Sequence, residues 1–340
     1  MFRLLGILFT LLLAIATAIV VWPQFFRLEQ TYPFAQLVSA RGLVLGGFLV
    51  VAVLALLLLL ARPLRGFAAS VLIVALIGAG ATGIIGATRG FGSSSLPEKT
   101  DSSIRVMTWN TAGEAVPAAE IAQQILDQGA DIVSLPETAQ TVGESIAIML
   151  REQGYPMWVH HVQFNPDVPD GPQSWQTTVL VSPELGDYSV IQSSEDGTSN
   201  TGSVPSAVLM PVDGEGPTIV AVHAVAPRLE EMEDWRSDLQ WIADQCPQGD
   251  VILAGDFNAT VDHMASLGVD GGDMGYCRDV ASRTGNGLVG TWPNSLPALA
   301  GAPIDHVMVS PNWRPSGSLV FADAGGSDHR GLVVQLEPAG

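Results

Sequence analysis

The sequence predicts an α/β layered domain carried on an α-helical membrane region, and three observations carry that prediction. Nearly all long apolar runs fall in the first ninety residues, and nearly all acidic residues follow them. In the second part, short runs rich in valine, isoleucine and leucine alternate with turn residues and a few stretches of helical spacing. Polar residues suited to catalysis recur at the ends of those runs.

Residues 1–90 form the membrane region. Spans at about 2–21, 43–60 and 67–87 each approach the roughly 20 apolar residues that cross a bilayer, the third being rich in glycine and alanine. Met1-Phe2-Arg3 before an apolar core also suits a signal peptide, but two further spans behind it favour an anchor. If Arg3 is cytoplasmic, so is the short connection carrying Arg62 and Arg65, and Arg27, Arg41, Arg89 and Lys99 fall on the other side. The charge asymmetry is therefore weak. The expectation is a multi-pass protein of the cell membrane with its C-terminal domain outside the cytoplasm.

Residues 91–102 read as a linker, with Ser93-Ser94-Ser95 and Pro97, into a domain over 103–340. Up to residue 90 there are six arginines and one acid, Glu29, which leaves 9 basic against 33 acidic side chains, a formal net of −24. Such a surface repels polyanions and makes duplex nucleic acid a less attractive partner. Cys246 and Cys277 allow one disulfide in an oxidising compartment, or stand as two buried thiols.

Within the domain, Ile104 to Trp109 reads as a strand and Pro117 to Gln128 as a helix with Ile121, Ile125 and Leu126 on one face, ended by Gly129. Asp131 to Leu135, Val179 to Val181, Ala207 to Met210, Ile219 to Val222, Val251 to Ala254, Val307 to Val309 and Leu332 to Leu336 supply further strands, and Leu229 to Ala243 a second helix. There is no internal repeat of fixed period.

The run Val251 to Ala254 leads into Gly255-Asp256-Phe257-Asn258, where Asp256 and Asn258 alternate and face one cleft. Alone, that tetrapeptide is equally a turn. It stands in a series, however: Asn110, Glu137 and His223 follow other strands, Asp305 opens one, and Asp328-His329 precedes the last.

The ordered pieces Thr108-Trp109-Asn110, Leu135-Pro136-Glu137, Val222-His223, Gly255 to Asn258, Ile304-Asp305-His306 and Ser327-Asp328-His329 resemble the endonuclease/exonuclease/phosphatase superfamily, over essentially the whole soluble domain. The preceding spans resemble bacterial membrane-anchored members. The resemblance implies a four-layer α/β sandwich of two mixed sheets flanked by helices, DNase I-like, with the site at one end. It implies Mg²⁺ or Mn²⁺ held by Glu137, with Asn110 and Asp328 close to the metal. His329 would touch the scissile phosphate, oriented by Asp305. Asp256 would orient or deprotonate the attacking water, and Asn258 and His223 would donate to phosphoryl oxygens.

Bland roles exist for each residue singly, but not easily for the ordered set. Pro136 departs from the glutamine many members place before the metal-binding glutamate. A phosphate-holding tyrosine or arginine between Glu137 and His223 is not evident, although Tyr155, Trp175 and Gln176 fall in that interval. His160-His161 reads as surface or packing, because adjacent residues of an extended segment point oppositely. Asp262-His263 reads as a helix start, Trp235, Leu239 and Trp241 as helix packing, and Thr291-Trp292-Pro293 as a lining of the cleft near Asp305. The expected function is metal-dependent hydrolysis of a phosphodiester or phosphomonoester, on a lipid head group, a small phosphodiester or nucleic acid. An anchored extracytoplasmic nuclease and a catalytically silent membrane interaction module are the alternatives.

Overall fold

The computed structural model describes residues 2–92, 95–164, 171–191, 201–321 and 326–340; Ser93 and Ser94 of the expected linker lie outside the described residues. Four N-terminal helices come first: α1 (Phe2–Val21), α2 (Phe34–Ser39), α3 (Arg41–Leu58) and α4 (Arg65–Arg89). Three of these, α1, α3 and α4, are long and apolar enough to cross a membrane. Helix α4 packs against both α1 and α3. Leu8, Leu12, Leu54, Ile73 and Ile77 remain exposed on the outside of this bundle, a surface that suits lipid rather than water.

The remaining elements are β1 (Ile104–Thr108), α5 (Ala118–Gln128), β2 (Ile132–Pro136), α6 (Gln140–Glu152), β3 (Trp158–Gln163), β4 (Gln176–Val181), β5 (Tyr188–Ile191), β6 (Ala207–Pro211), β7 (Thr218–His223), α7 (Met232–Asp244), β8 (Val251–Asp256), α8 (Val261–Met264), β9 (Arg278–Asp279), α9 (Val280–Arg283), β10 (Asp305–Val309), β11 (Trp313–Phe321) and β12 (Gly331–Pro338). They build two six-stranded sheets, ordered β11-β12-β1-β2-β4-β3 and β5-β6-β7-β8-β10-β9. The β1/β2 and β7/β8 pairs are parallel and the other pairs antiparallel, so both sheets are mixed.

Strand periodicity explains the layers. Val106, Ile132, Ile252, Ala254 and Val307 point into the core between the sheets, while their neighbours Met107, Val133, Leu253 and Met308 point outward under helices. Central strands are thus buried on both faces, which is why they read as continuous apolar runs. On one outer face, Ile121 and Ile125 of α5 and Ile146 and Leu150 of α6 cover the first sheet. On the other, Trp235, Leu239 and Ile242 of α7 cover the second. Cys246, just beyond α7, is joined to Cys277 in a disulfide with Cα atoms 5.9 Å apart, and the described residues hold no free cysteine.

The membrane region docks directly on this domain. Asp262 in α8 is buried and pairs with Arg41 at the start of α3 and Arg89 at the end of α4, each at 2.8 Å. Gln24 also donates to Asp262, Gln30 to the His263 carbonyl and Gln36 to the Pro227 carbonyl. The two guanidiniums override burial and hold the Asp262 carboxyl well below the usual carboxylate range.

Candidate active site

The inner-face stripes of the second sheet turn polar at one end. Ala221, Ala254 and Val307 line the core between the sheets; two residues after the first two stand His223 and Asp256, and two residues before Val307, on the antiparallel strand β10, stands Asp305. Strand register makes these three lateral neighbours, with His223 paired to Asp256 across β7/β8 and Asp305 paired to Asp256 across β10/β8. The same phase in the first sheet carries Thr108 on to Asn110. Gly255 permits the close pairing, since a side chain there would collide with the backbone of Val222.

Asn110 is buried, and its Nδ2 lies 3.1 Å from Glu137 Oε1 and 3.1 Å from Asp256 Oδ2. The Ala112 N–H donates to Asn110 Oδ1 at 2.9 Å, which turns the amide nitrogen, rather than its oxygen, toward the two carboxylates. Glu137, one residue past β2, is half-buried and holds φ +59°; Asn258 holds φ +47°. Left-handed backbone at two non-glycine residues of one cluster is a strain that clusters at functional sites. Asn258 donates its N–H to Asp256 Oδ1 at 2.8 Å and its Nδ2 to the Ala224 carbonyl at 2.8 Å. In this arrangement it positions Asp256.

His329 is buried, with Nδ1 2.8 Å from Asp305 Oδ2 and Nε2 3.8 Å from Asp256 Oδ2. Burial opposes its positive charge, but the Asp305 and Asp256 carboxylates outweigh burial and raise its pKa well above the ordinary histidine value. Burial and then Asp305 push the Asp256 carboxyl upward in turn. His223 is fully enclosed, 3.7 Å from Glu137 Oε1. Burial, then the positive charge of His329, lower its pKa to about 3, so it is neutral, and its Nδ1 has no hydrogen-bond partner among the described residues. Asp328 is exposed at the rim and accepts a 2.9 Å hydrogen bond from Trp292 Nε1.

The eight expected site residues therefore gather at one end of the sandwich. Several supports were not evident in the sequence. Ser327 Oγ donates to the Asn110 carbonyl and accepts from the His329 N–H, strapping the two together. Thr291 Oγ1 accepts from the Ile304 and Asp305 N–H groups, and Ser206 Oγ from that of His223. A second buried pair, His306 with Asp279 at 2.8 Å, fixes the Ala259 carbonyl behind Asn258. A serine two residues before a histidine was the one local signal for such a strap. Of the residues weighed between Glu137 and His223, Tyr155 is spent on the Ala130 carbonyl, Trp175 packs on Phe164, and Gln176 lies at the site end of β4. His161, on edge strand β3, hydrogen-bonds Thr178 of β4.

Ligand atoms of Asp256, Asp305 and His329 all lie within 4.8 Å of one another, a group able to coordinate a divalent metal. The carboxylates of Glu137 and Asp256, both 3.1 Å from the Asn110 amide nitrogen, offer the oxygen ligands a hard cation takes, whereas Asn110 turns its N–H side to them and is not itself a ligand in this arrangement; Asp305 Oδ1 is buried with no hydrogen-bond partner among the described residues.

Residues 107–329 match the profile of the endonuclease/exonuclease/phosphatase family, and the chain belongs to that family. Solved structures agree on the fold. An endonuclease/exonuclease/phosphatase from Beutenbergia cavernae superposes with a TM-score of 0.53 at 21% identity, covering 70% of this chain and 72% of that one. A family protein from Leptotrichia buccalis gives 0.51 at 14% identity, covering 69% and 99%, and one from Bacteroides thetaiotaomicron 0.50 at 16%, covering 71% and 96%. No curated protein matches the chain. Family membership and the buried Asp/Asp/His group support metal-dependent phosphoesterase-type activity in general.

Proposed function

We propose that residues 103–340 are the catalytic domain of a membrane-anchored phosphoesterase that uses Mg²⁺ or Mn²⁺ to hydrolyse a phosphodiester or phosphomonoester by attack of water. The observation that carries this reading is the convergence of Asn110, Glu137, His223, Asp256, Asp305 and His329 at one sheet end, with His329 held cationic beside two carboxylates. Glu137 would hold the metal, with Asn110 and Asp328 beside it. In this reading His329 is assigned to the phosphate, because Asp305 already engages its Nδ1. When bound, the cation neutralises phosphoryl charge and stabilises the leaving oxygen.

The chain's own residues do the rest. Asp256, its proton affinity raised by burial, accepts a proton from water, and Asn258 and Asn110 fix its carboxylate. The Nε2–H of His329 donates to a phosphoryl oxygen as charge builds there, and Asp305 holds the ring in place. Neutral His223 donates a further hydrogen bond. A formal net charge of −24 over residues 91–340 favours substrates other than duplex nucleic acid.

We further propose that the domain faces away from the cytoplasm. Of the groups that blur the charge asymmetry in the sequence, Arg41 and Arg89 share the one carboxylate of Asp262, and the three arginines at that end, Arg27, Arg41 and Arg89, stand against two acids, Glu29 and Asp262. Arg62 and Arg65, at the opposite end of the bundle, are exposed and have no acidic partner among the described residues. The excess of positive charge is therefore larger at the end away from the catalytic domain, two charges against one. The Cys246–Cys277 disulfide supports the same orientation. The reading is tested by calorimetric titration of Mg²⁺ and Mn²⁺ into the full-length protein and Glu137→Gln. The variant should bind at least about tenfold more weakly; equal affinity would remove Glu137 from the metal site.

A further inference from the structure

The membrane region touches the domain at the active-site end, not at the far end. The loop that leaves β8 through Asp256 and Asn258 reaches Asp262, and hence Arg41 and Arg89, within a few residues. The segment 285–302 runs along the same helix ends. The Leu288 N–H donates to the Gly90 carbonyl, and the Leu299 backbone sits so close to the first turn of α3 that any side chain at Gly42 would collide with it. That segment also builds the site. Thr291 holds the Asp305 N–H, Trp292 donates to Asp328, and Arg330, next to His329, donates to the carbonyls of Gly290, Asn294 and Leu296.

Three large apolar side chains of this segment project into solvent: Trp292, Leu296 and Leu299, at 42%, 40% and 45% exposure. Helix α3 is about 27 Å long at 1.5 Å per residue, so its first turn, and Leu299 with it, falls at the edge of the hydrocarbon layer. Trp22, Phe25 and Tyr32, all exposed just beyond α1, mark the same level, where aromatic side chains favour the bilayer–water boundary. The apolar rim is thus continuous with the lipid-facing surface of the helices and leads inward to Asp328 and His329.

We propose that Trp292, Leu296 and Leu299 lie in the bilayer interface, and that the site takes a phospholipid, whose acyl chains stay in the membrane while its phosphate reaches His329 and Asp256. The inference rests on the phosphoesterase reading above. Water adds its oxygen to phosphorus, the ester P–O bond breaks, and the departing alcohol oxygen takes a proton. Exposed leucines in such a rim are stabilised by burial in lipid. A soluble ester gains nothing from them.

The test uses the full-length protein in vesicles of phosphatidylcholine and phosphatidylglycerol. A spin label at Leu299→Cys, free of competing thiols because both native cysteines are paired, should be more accessible to oxygen than to a water-soluble nickel chelate. A label at Val212→Cys, at the far end of the second sheet, should show the reverse. In parallel, Leu296→Ser/Leu299→Ser should lose about tenfold or more in kcat/KM on the vesicle phospholipid, read as diacylglycerol or phosphatidate, but stay within about twofold on bis(4-nitrophenyl) phosphate. A water-exposed label at 299, or turnover of the soluble diester with none of the phospholipid, overturns the inference and leaves the phosphoesterase reading standing. No turnover of either ester overturns both.

Discussion

His329 Nδ1 stands 2.8 Å from Asp305 Oδ2, with both side chains buried and Thr291 holding the Asp305 backbone. Asp305→Asn keeps the shape but removes the charge that keeps His329 protonated. The variant should fold and lose about a hundredfold or more in kcat with a smaller change in KM. Steady-state kinetics on any ester the wild type turns over provides the check; an unaltered kcat would assign Asp305 a structural role alone.

The same pair fixes the sign of the pH dependence. Activity should rise with pH as Asp256 loses its proton, on a limb displaced upward from an ordinary aspartate, and fall when His329 loses its own. Because Asp305 raises both groups, Asp305→Asn should move both limbs to lower pH. A kcat/KM profile of the two proteins decides this, and limbs that stay in place would contradict it.

Much of this site was legible because polar residues bracket apolar strands: Asn110, His223 and Asp256 continue inner-face stripes and Asp305 opens one, while Glu137 follows β2 and His329 precedes β12. The strands recognised in the sequence are all interior to their sheets. The four that were not, β3, β5, β9 and β11, are the edges. An edge strand is covered on fewer sides and needs no continuous apolar run. β11 even carries Pro315 and Gly317 at a bulge. Helix α6, interrupted in sequence by Gly143, was missed too. Asp262 read as a helix start, which it is within α8, but its partners Arg41 and Arg89 are 221 and 173 residues away in sequence. Contacts of that separation leave no local signature.

That clamp is itself a target. Asp262→Ala leaves two arginines without their counter-charge, one of them buried, and should destabilise the assembly of helices and domain by about 3–5 kcal/mol. Limited proteolysis between residues 91 and 102 should accelerate accordingly. Unchanged cleavage and melting would show that the docking does not depend on the clamp.

His263, beneath α2, is buried neutral with its pKa lowered to about 4, chiefly by burial. A histidine that charges at 6.5 when unfolded but only near 4 when folded contributes stability that is complete above pH 6.5 and is lost as pH falls toward 4, roughly 3 kcal/mol in all. Thermal unfolding in detergent from pH 7 to 4 should show this slope, reduced in His263→Gln. Parallel slopes would assign the acid sensitivity to other groups.

The disulfide closes a loop spanning 31 positions, and reduction or Cys246→Ser should cost roughly 3–4 kcal/mol on the chain-entropy account. Orientation has its own readout. A periplasmic or cell-surface reporter fused after Gly340 should be active, and activity of a cytoplasmic reporter alone would overturn the proposed topology.

The central claim is metal-dependent ester hydrolysis at this cluster. Its most direct test is hydrolysis of a panel of phospholipids, soluble phosphodiesters, inositol phosphates and plasmid DNA by the full-length protein with Mg²⁺ or Mn²⁺, beside Glu137→Ala and His329→Ala. The account predicts turnover that vanishes with chelator and in both variants. Turnover that survives chelator or either substitution, or no turnover together with no metal binding by calorimetry, would contradict it.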